Sequence, residues 1–508
     1  MWDTIVIGSG IGGLAAAAAL GKRGQRVLLL EQHSIAGGLT QTFARQGWSF
    51  APGVHYIGGV GPDAGPAGQF GRLLAWLSDG QLEFAPSANP YDIVRLPGFE
   101  FGIAHPESAF RDALIERFPT ERDAIRGWFV ACAKAQRSSF TLFALHSMPP
   151  VLAFAMRLLR GGEARHWARR TLADELARIP NAQLRAVLAA RWGDYGAPPA
   201  SAPFVEHALV TGSYNAGAYY PVGGPARFAQ ALLPTVEAAG GELRLNAAVR
   251  RIVTDGGRVS GVEYERDGQL VSESTRCVIS AMGVVNTAAC LAAGVAGAWQ
   301  QAVRAFAPGL SYLSLFLGFE GDIAAAGATS ANYWIFESEE TARVWRDPAD
   351  TDAPGFFASF PSLKDPAHGT KPTAEVIAFV DSAFFAPWME QPDGDRPEAY
   401  LALKAWIEER LLAQFLRHFP ALKPLLRFHE LSTPLTQRRY VRSPAGAAYG
   451  IEMSAQRMTS PALHVRTPVP GLLLAGQDVT SPGVQGAFMG GLLAAASRDP
   501  ALWARLRT

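Results

Sequence analysis

The chain has 508 residues, too many for one simple hydrophobic core, and this length indicates two domains or one discontinuous domain with a large insertion. Hydrophobic residues make up 48% and charged residues 18% of the sequence, which excludes a disordered chain and indicates a globular, somewhat apolar protein. The formal net charge of +1 gives no support to a nucleic-acid partner held by bulk electrostatics, and none is expected.

The chain opens on an apolar strand at 4–7, an alanine-rich helix and a second apolar strand at 27–30. The turn between the first strand and the helix contains Gly8, Gly10, Gly12 and Gly13. Gly8 permits a tight turn, Gly10 lets the backbone approach a pyrophosphate, and Gly13 allows the helix to pack closely on the strand. Glu31, after the second strand, would accept the ribose hydroxyls of an adenosine. GxGxxG alone is a weak signal, but in this strand–turn–helix context it predicts dinucleotide binding.

A second glycine pair, Gly37–Gly38, begins a turn-rich stretch that extends to Gly68, and residues 106–195 are predicted to be mainly helical. Within them, 138–170 is apolar as far as Leu159 and then basic. Pro149–Pro150 interrupts the run, so neither half reaches the roughly 20 residues that a membrane-spanning helix needs. The segment suits either an interfacial contact with a membrane or a helical core with a solvated basic face, and the sequence does not decide between them.

The middle of the chain returns to mixed structure. Its pattern predicts a helix at 225–239, followed by strands at 242–245, 248–254, 259–264 and 277–282. Further strands are predicted within 310–385 and a pair of helices within 396–418. The polar, proline-bearing stretch from Gln391 to Pro397 is typical of a surface loop.

The chain nearly ends on a strand, a polar turn and a helix, in the stretch LLLAGQDVTSPGVQGAFMGGLLAAA at 472–496. The turn contains Gly476, Gln477 and Asp478, and the helix is predicted from Gly486 onward. A helix that opens on glycine lets a ligand approach its backbone N–H groups closely. The N-terminal dinucleotide site supplies a reason for such an approach.

This order of elements resembles the plan of two-domain flavoproteins. The resemblance implies an α/β (α+β) fold, in which a discontinuous Rossmann-type FAD-binding domain carries an inserted mixed-sheet and helical substrate domain. The FAD-binding domain is expected at 1–75, 205–290 and 455–508, and the substrate-binding domain at 76–204 and 291–454. By the same resemblance, Gly476 and Asp478 would lie by the ribityl chain and pyrophosphate of FAD. The residues implied beside the isoalloxazine ring are Gly483, Val484, Gln485 and Gly486.

Six blocks narrow the resemblance: GGLTQTFARQGWSFAPGVHYIGG (37–59), GDYGAPP (193–199), AYYPVGG (218–224), FPSLKDP (360–366), STPLT (432–436) and the terminal GQDVTSPGVQGAF. Together they resemble the all-trans-retinol saturase branch of the phytoene desaturase and carotenoid isomerase superfamily, over most of the chain. Gly37, Gly38 and Leu39 are thereby implied in cofactor binding, with Leu39 where many carotenoid desaturases have a basic residue. Val249 stands where the superfamily touches the adenine through its backbone.

Five side chains are candidates for the chemistry or for substrate contact. His55 and Tyr56 follow the glycine pair, where a histidine could orient substrate, donate a proton, or simply hydrogen-bond a packed turn. Tyr220, in a turn that resembles the family's tyrosine-proline-glycine motif, suits either catalysis at the cofactor or core packing. His207 and Tyr214 could line the substrate cavity, although a hydrogen-bonded core histidine is the more common case.

Other chemistries lack their motifs: there is no GxSxG elbow, no HExxH, no Walker lysine and no second GxGxxG. NAD(P)H would therefore visit the flavin transiently as reductant, unless the electrons come from another donor. The cysteines Cys132, Cys277 and Cys290 are scattered, so no bound metal is expected and a reducing compartment is indicated. The first strand leaves no room for a signal peptide, and a cytoplasmic location is expected, with peripheral membrane association left open.

The resemblance implies hydride chemistry at a carbon–carbon double bond of an apolar isoprenoid or polyene, of retinoid or carotenoid type. Retinol-like reduction is the first expectation, carotenoid desaturation or cis–trans isomerisation is the alternative, and amine oxidation is a distant third. A non-enzymatic prenyl-binding escort protein is a further alternative. The presence of an intact glycine turn, of Glu31 and of the terminal GQD argues against it. Aromatic residues near 333–336, 356–360 and 384–388 could line a tunnel for the substrate, or form ordinary strand core.

Overall fold

The structure, a computed structural model, describes residues 1–61, 68–148, 150–391 and 396–507. Its strands are β1 Thr4–Ile7, β2 Val27–Leu30, β3 Phe43–Arg45, β4 Trp48–Phe50, β5 Phe84–Pro86, β6 Asp92–Leu96, β7 Phe99–Ile103, β8 Tyr219–Pro221, β9 Glu242–Arg244, β10 Ala248–Asp255, β11 Arg258–Arg266, β12 Gln269–Ser274, β13 Val278–Ser280, β14 Ser311–Phe319, β15 Asn332–Phe336, β16 Gly355–Ser359, β17 Thr373–Val380, β18 Leu426–Ser432 and β19 Leu472–Leu474. Its α-helices are α1 Ile11–Gly21, α2 Gln69–Leu77, α3 Glu107–Arg117, α4 Arg122–Ser147, α5 Pro150–Arg169, α6 Leu172–Leu176, α7 Ala182–Ala189, α8 Phe204–Gly212, α9 Arg227–Ala238, α10 Val284–Ala289, α11 Gly297–Arg304, α12 Ala386–Met389, α13 Glu398–His418, α14 Pro434–Val441, α15 Ala455–Thr459 and α16 Gly483–Arg498.

The first sheet has five strands in the order β19-β13-β1-β2-β9, and every neighbouring pair is parallel. Ile5 on β1 lies opposite Leu28 on β2 and Val278 on β13. Parallel strands covered on both faces form continuous apolar runs, which is why β1, β2 and β13 could be predicted from sequence. The strands come from three distant stretches of the chain, so the Rossmann-type sheet is discontinuous, as predicted.

Helices α1 and α16 pack against each other and against strands of this sheet. Their contact is made by backbone atoms: a Cβ on Gly12 would lie 2.8 Å from both the Ala487 carbonyl oxygen and Gly476 Cα. A Cβ on Gly491 would overlap the Gly12 carbonyl oxygen. Because real Cβ atoms do not approach backbone so closely, only glycine fits at these positions. The contact joins the turn at the start of the chain to the turn near its end.

The second sheet has seven strands in the order β18-β14-β17-β16-β15-β6-β7. Its strands pair antiparallel except β15 and β6, which are parallel. Strand β14 is buried over all nine of its residues. The sequence prediction missed β6 and β7, although both alternate in burial; Asp92 places a charged residue at a buried position of β6, and Arg95 and Glu100 occupy outward positions. It also missed β12, an exposed strand of the three-stranded sheet β10-β11-β12.

The region from 106 to 195 is mainly helical, which confirms the sequence prediction. The long helix α4 packs on α5 and α8. Between them, aromatic side chains form a core that includes Trp128, Trp167 and Phe204. Within the part of the chain that the structure describes, no helix is long and apolar enough to span a membrane.

Two boundaries differ from the prediction. The expected pair of helices at 396–418 is one helix, α13, because its sequence contains neither glycine nor proline to interrupt it. The terminal helix begins at Gly483, directly after Pro482, so the residues predicted as turn as far as Gln485 form its first turn. Part of the predicted loop at 391–397, and the end of the turn-rich stretch before Gly68, lie outside the described residues.

Candidate active site

Glu31 holds the N-terminal glycine turn in place. Its Oε2 accepts hydrogen bonds from the Ser9 N–H at 2.8 Å and the Ser9 hydroxyl at 2.7 Å, and its Oε1 accepts one from the His33 N–H at 2.8 Å. Across the described residues, a Cβ on Gly10 would meet nothing within 4 Å, so the turn faces open space. Gly13, by contrast, is needed for close packing of the helix on the strand, because a Cβ there would overlap the Gly8 carbonyl oxygen. Gly10 faces a space that a ligand can fill, and Gly13 packs the helix, as the motif predicts.

The adenosine side of this site is bordered by the turn before β10. The Ala247 N–H donates to the Glu31 carbonyl at 2.8 Å, and the Asn246 N–H donates to the His33 carbonyl at 3.1 Å. Val249 follows on β10, half-buried against the first core. Gly37 and Gly38 both have positive φ, and Gly37 lies beside Gly10 in a parallel bridge. The structure therefore brings all these predicted residues to one side of the first sheet.

The C-terminal turn presents an unsatisfied carboxylate. Asp478 Oδ2 accepts a hydrogen bond from the Val284 N–H at 2.8 Å, but its buried Oδ1 has no hydrogen-bond partner among the described residues. The side chain lines a cavity of about 130 Å³. Leaving a buried acceptor unpaired costs about 1–3 kcal/mol, so a hydroxyl-bearing ligand such as a ribityl chain fits this position. The residues present therefore fit FAD.

The first turn of α16 faces a larger cavity. Gly483, Val484, Gln485 and Gly486 all line it. Gln485 Nε2 donates to the Gly58 carbonyl at 2.6 Å, which ties the helix to the turn that carries His55 and Tyr56. The helix N-terminus carries a partial positive charge, which favours the negative charge that a reduced flavin bears.

This cavity has a volume of about 540 Å³ and mainly apolar walls. Leu39, Gly53, His55 and Tyr56 form one side of it. Its aromatic residues include Phe140, Phe143, Trp334, Phe357 and Phe379. Two of the three predicted aromatic groups thus contribute to the wall, whereas Phe385 of the third packs in the core beside α13.

A buried polar cluster closes one end of the cavity. The Tyr56 hydroxyl donates to Asp194, at 2.9 Å from Oδ2 and 3.2 Å from Oδ1, and lies 3.4 Å from Asp92 Oδ2. Burial raises the pKa of Asp194 to about 7, and the charge of Asp92 adds to the effect. Tyr214 stacks on Tyr56 with ring centroids 4.6 Å apart, and both line the cavity. Tyr56 and Tyr214 therefore meet at the site as the sequence suggested.

His55 lies beside a second part of this cluster. Its Nδ1 is 2.8 Å from Glu375 Oε2, but the angle is not that of a hydrogen bond, and both ring nitrogens lack such a bond among the described residues. Lys364 Nζ donates to the His55 carbonyl at 2.8 Å, to Ser359 Oγ at 2.7 Å and to Asn332 Oδ1. Burial lowers the pKa of Lys364 to about 7. His55 is thus fixed through its backbone carbonyl, and its ring lies in the cavity wall beside Glu375.

Two candidates lie elsewhere. His207 Nδ1 is 3.0 Å from the Tyr195 hydroxyl, and burial lowers the pKa of the imidazole to about 3. It lines a smaller cavity of about 30 Å³ and has no part in the proposed substrate site. Tyr220 is buried in β8, which pairs with β5, and is not among the described residues that line the large cavity. The packing interpretation of both residues fits their positions better.

Sequence reasoning missed Asp194, Asp92, Arg191, Lys364 and Glu375. Asp194 and Lys364 lie inside the blocks GDYGAPP and FPSLKDP, which were singled out for resemblance alone. Glu375 is a lone acid in the apolar strand β17, and it is fully buried. A charged residue within a buried strand pattern is the signal that would have identified it, since such residues are rarely buried without a partner.

The discontinuous parallel sheet, the glycine turn and the returning C-terminal helix define a two-domain flavoprotein oxidoreductase. Residues 6–70 match the NAD(P)-binding Rossmann-like domain family. The chain is 32% identical to the all-trans-retinol 13,14-reductase of Macaca fascicularis, over 97% of this chain and 84% of the relative. It is 25% identical to the chloroplastic prolycopene isomerase of Arabidopsis thaliana, over 89% of this chain and 74% of the relative.

The chain belongs to the all-trans-retinol 13,14-reductase family. The expectations of an enzyme, an oxidoreductase and a flavin cofactor are confirmed, and the escort-protein alternative is set aside. Solved structures share the fold at lower identity. An oxidoreductase from Methanosarcina mazei has a TM-score of 0.65 at 18% identity, covering 96% of this chain and 98% of its own. Cyclohexylamine oxidase from Brevibacterium oxydans has a TM-score of 0.63 at 19% identity, covering 99% of both chains.

Proposed function

We propose that the protein reduces a carbon–carbon double bond of an apolar polyene of retinoid type, with FAD as its cofactor. The observation that carries the proposal is the large cavity, which extends from the first turn of α16 to Tyr56 and has mainly apolar walls. Its volume of about 540 Å³ is in the range that binds small organic ligands. The relatives are named for retinol and prolycopene, which supports a long apolar substrate.

The bound flavin supplies the hydride, and the chain supplies binding, orientation and exclusion of water. In this proposal Gly8, Gly10, Gly12 and Gly13 face or shape the pyrophosphate site, and Glu31 accepts the adenosine ribose. Gly37, Gly38 and Leu39 border the cofactor, and Val249 contacts the adenine through its backbone. Gly476 and Asp478 hold the ribityl chain, and the first turn of α16 contacts the isoalloxazine ring. The unpaired Oδ1 of Asp478 supports this assignment.

The substrate contacts are assigned to His55, Tyr56 and Tyr214. The mainly apolar walls align the conjugated chain, and polar side chains in the lining, Tyr56 and Tyr214 among them, orient it. Exclusion of water protects the reduced cofactor from side reactions. NAD(P)H is proposed as a reductant that reaches the flavin transiently.

The domain boundaries stay a proposal, with the FAD-binding domain at 1–75, 205–290 and 455–508 and the substrate-binding domain at 76–204 and 291–454. The position of the two large sheets supports them. The parallel sheet draws its strands from the first set of ranges, and the seven-stranded sheet from the second.

The protein is also proposed to collect its substrate from a membrane surface through 138–170. On α5, Phe154 is 63% exposed, Leu158 72% and Leu159 85%, and the exposed Arg157 and Arg160 lie among them. Exposed apolar residues with neighbouring cations suit the interface of an anionic bilayer. Phe140, 68% exposed on α4, also lines the large cavity, so the apolar surface reaches the cavity wall.

Flotation with anionic liposomes tests this contact. The double variant Phe154→Ser/Leu159→Ser should remain in the soluble fraction while the wild type floats. Leu401→Ser is the matched control, because Leu401 is an exposed leucine on α13, away from α5. Equal flotation of wild type and double variant would contradict the contact.

An anaerobic experiment decides the reaction. The reduced protein is mixed with all-trans-retinol or a carotenoid, and flavin absorbance and product mass are followed. Reoxidation of the flavin with a gain of two hydrogens is the expected outcome. A loss of two hydrogens with oxidised protein would show desaturation, and unchanged mass with a shifted spectrum would show isomerisation. Turnover of small amines without response to any polyene would overturn the substrate class.

A further inference from the structure

The reduction of a double bond needs a proton as well as a hydride. Tyr56 and Asp194 are hydrogen-bonded to each other and both line the large cavity. The cavity wall is mainly apolar, so a substrate that fills the cavity displaces water from it. This hydrogen-bonded pair is then placed to supply the proton.

The charges around this pair favour a bound proton. The buried carboxylate of Asp92 and the half-buried carboxylate of Asp194 share one buried cation, Arg191. Asp194 is the carboxylate that touches both Tyr56 and the cavity. Holding both carboxylates ionised beside one cation is costly. The raised pKa of Asp194, about 7, agrees with this arrangement.

We propose that Asp194, acting through the Tyr56 hydroxyl, is the proton donor for the reduction. This inference rests on the proposed function. With a proton on Asp194, its carboxyl O–H donates to the Tyr56 oxygen, and the phenolic hydrogen is free to point into the cavity. The Tyr56 O–H bond breaks as a C–H bond forms at one carbon of the double bond, and the other carbon would receive the hydride that FAD would supply when bound and reduced.

The transfer is concerted along the pair. As the proton of Tyr56 leaves, the proton of Asp194 replaces it, so no phenolate accumulates; burial raises the pKa of Tyr56 and makes a free phenolate unfavourable. The product gains one hydride and one proton, and Asp194 is left ionised. It regains its proton from solvent once the product has left the large cavity, which Asp194 lines.

The test uses Tyr56→Phe and Asp194→Asn in the FAD-loaded protein. Each should slow the reoxidation of reduced flavin by polyene by about 100-fold, a typical contribution of a general acid, without loss of bound flavin. Tyr400→Phe is the matched control, because it removes a buried hydroxyl that is hydrogen-bonded to Thr433, outside the cavity wall. It should react at the wild-type rate.

The pH profile separates a proton donor from a structural residue. The wild-type rate should fall as pH rises through about 7, where Asp194 loses its proton, and this fall should be absent from Asp194→Asn. The titratable and charged groups that face Asp194 are Asp92, Arg191, Tyr56, Tyr91, Tyr195, Tyr214 and Tyr449, and Lys364 interacts with Asp92. Lys364 also titrates near pH 7, so a fall that survives in Asp194→Asn would assign it to another group and overturn the proposal.

A spectroscopic readout does not depend on turnover. Infrared spectra of the resting protein at pH 6 should contain a band from a protonated carboxyl group that Asp194→Asn lacks and Tyr400→Phe retains. No difference between Asp194→Asn and wild type would contradict the bound proton. If the wild type reduces no polyene, the proposed function fails, whereas wild-type reactivity of Tyr56→Phe would refute the proton donor alone.

Discussion

Replacing Gly12 by alanine tests the contact that joins the two ends of the flavin site. The added Cβ would lie 2.8 Å from the Ala487 carbonyl oxygen and from Gly476 Cα, both of them backbone atoms. To restore an ordinary contact of 3.4 Å, α16 and its preceding turn must each retreat by about 0.6 Å. Overpacking costs about 1–3 kcal/mol, and because both contacts are with backbone atoms we take the upper part, about 2–3 kcal/mol; the helix propensity of alanine returns about 1 kcal/mol. We expect a net loss of about 1–2 kcal/mol.

Thermal unfolding and flavin release provide the assay. Gly12→Ala should lower the apparent melting temperature by a few degrees and speed the loss of flavin, because Gly476 and the first turn of α16 move away from the N-terminal turn. Gly127→Ala is the matched control. Gly127 is exposed within α4, and a Cβ there would meet nothing within 4 Å among the described residues. The Gly127→Ala variant should be more stable than the wild type by about 0.5–1 kcal/mol. If Gly12→Ala is as stable as the wild type or more stable, the packing argument is refuted.

Three further outcomes follow from single contacts. Glu31→Arg removes the acceptor of two backbone N–H groups and of the Ser9 hydroxyl, so the purified variant should retain less flavin than the wild type. Glu116→Arg, a charge reversal on the exposed face of α3, is the control. Equal flavin occupancy in the two variants would contradict the role of Glu31. In Asp478→Asn the side-chain oxygen can still accept a hydrogen bond from the Val284 N–H, but an NH₂ group replaces the unpaired Oδ1 acceptor. The flavin-to-protein ratio should therefore fall. An unchanged ratio would place the ribityl chain elsewhere. His207 is neutral when folded because burial lowers its pKa to about 3, whereas the unfolded side chain binds a proton below about pH 6.5. Wild type should therefore lose stability relative to His207→Gln as pH falls from 6.5 toward 3, and a pH-independent difference would refute the assignment.

The parts of the fold and site that could be predicted from the sequence are those built from residues close together in the chain. The turn from Gly8 to Gly13 is a local structure, because the steric reason for each glycine lies within the same strand–turn–helix unit. The apolar runs of β1, β2 and β13 were visible because strands buried on both faces need no polar residues. The return of the terminal turn to this unit followed from the family resemblance, and the contact between Gly12 and Gly476 confirms it.

The polar end of the cavity could not be predicted in the same way. Tyr56 meets Asp194, which is 138 positions away, and Lys364 reaches the carbonyl of His55 across 309 positions. Such pairs depend on how the seven-stranded sheet places β6, β15 and β17 beside the helical region, and no periodicity in one segment encodes that placement. For His207 the sequence left both substrate contact and core packing open, and the hydrogen bond to Tyr195 favours core packing.

The proposed flavin site combines a close backbone contact with an unpaired polar atom. The contact between Gly12 and Gly476 is made by protein atoms, and it fixes the position of α16 relative to α1. Asp478 Oδ1, by contrast, has no partner within the described part of the chain until a ligand donor reaches it. Binding that satisfies a buried acceptor favours the folded state over the unfolded one, and stability then rises with the concentration of free ligand. Because the two turns are separated by most of the sequence, the flavin also stabilises the association of both ends of the chain, and its removal should weaken the docking of α16 before it disturbs the seven-stranded sheet.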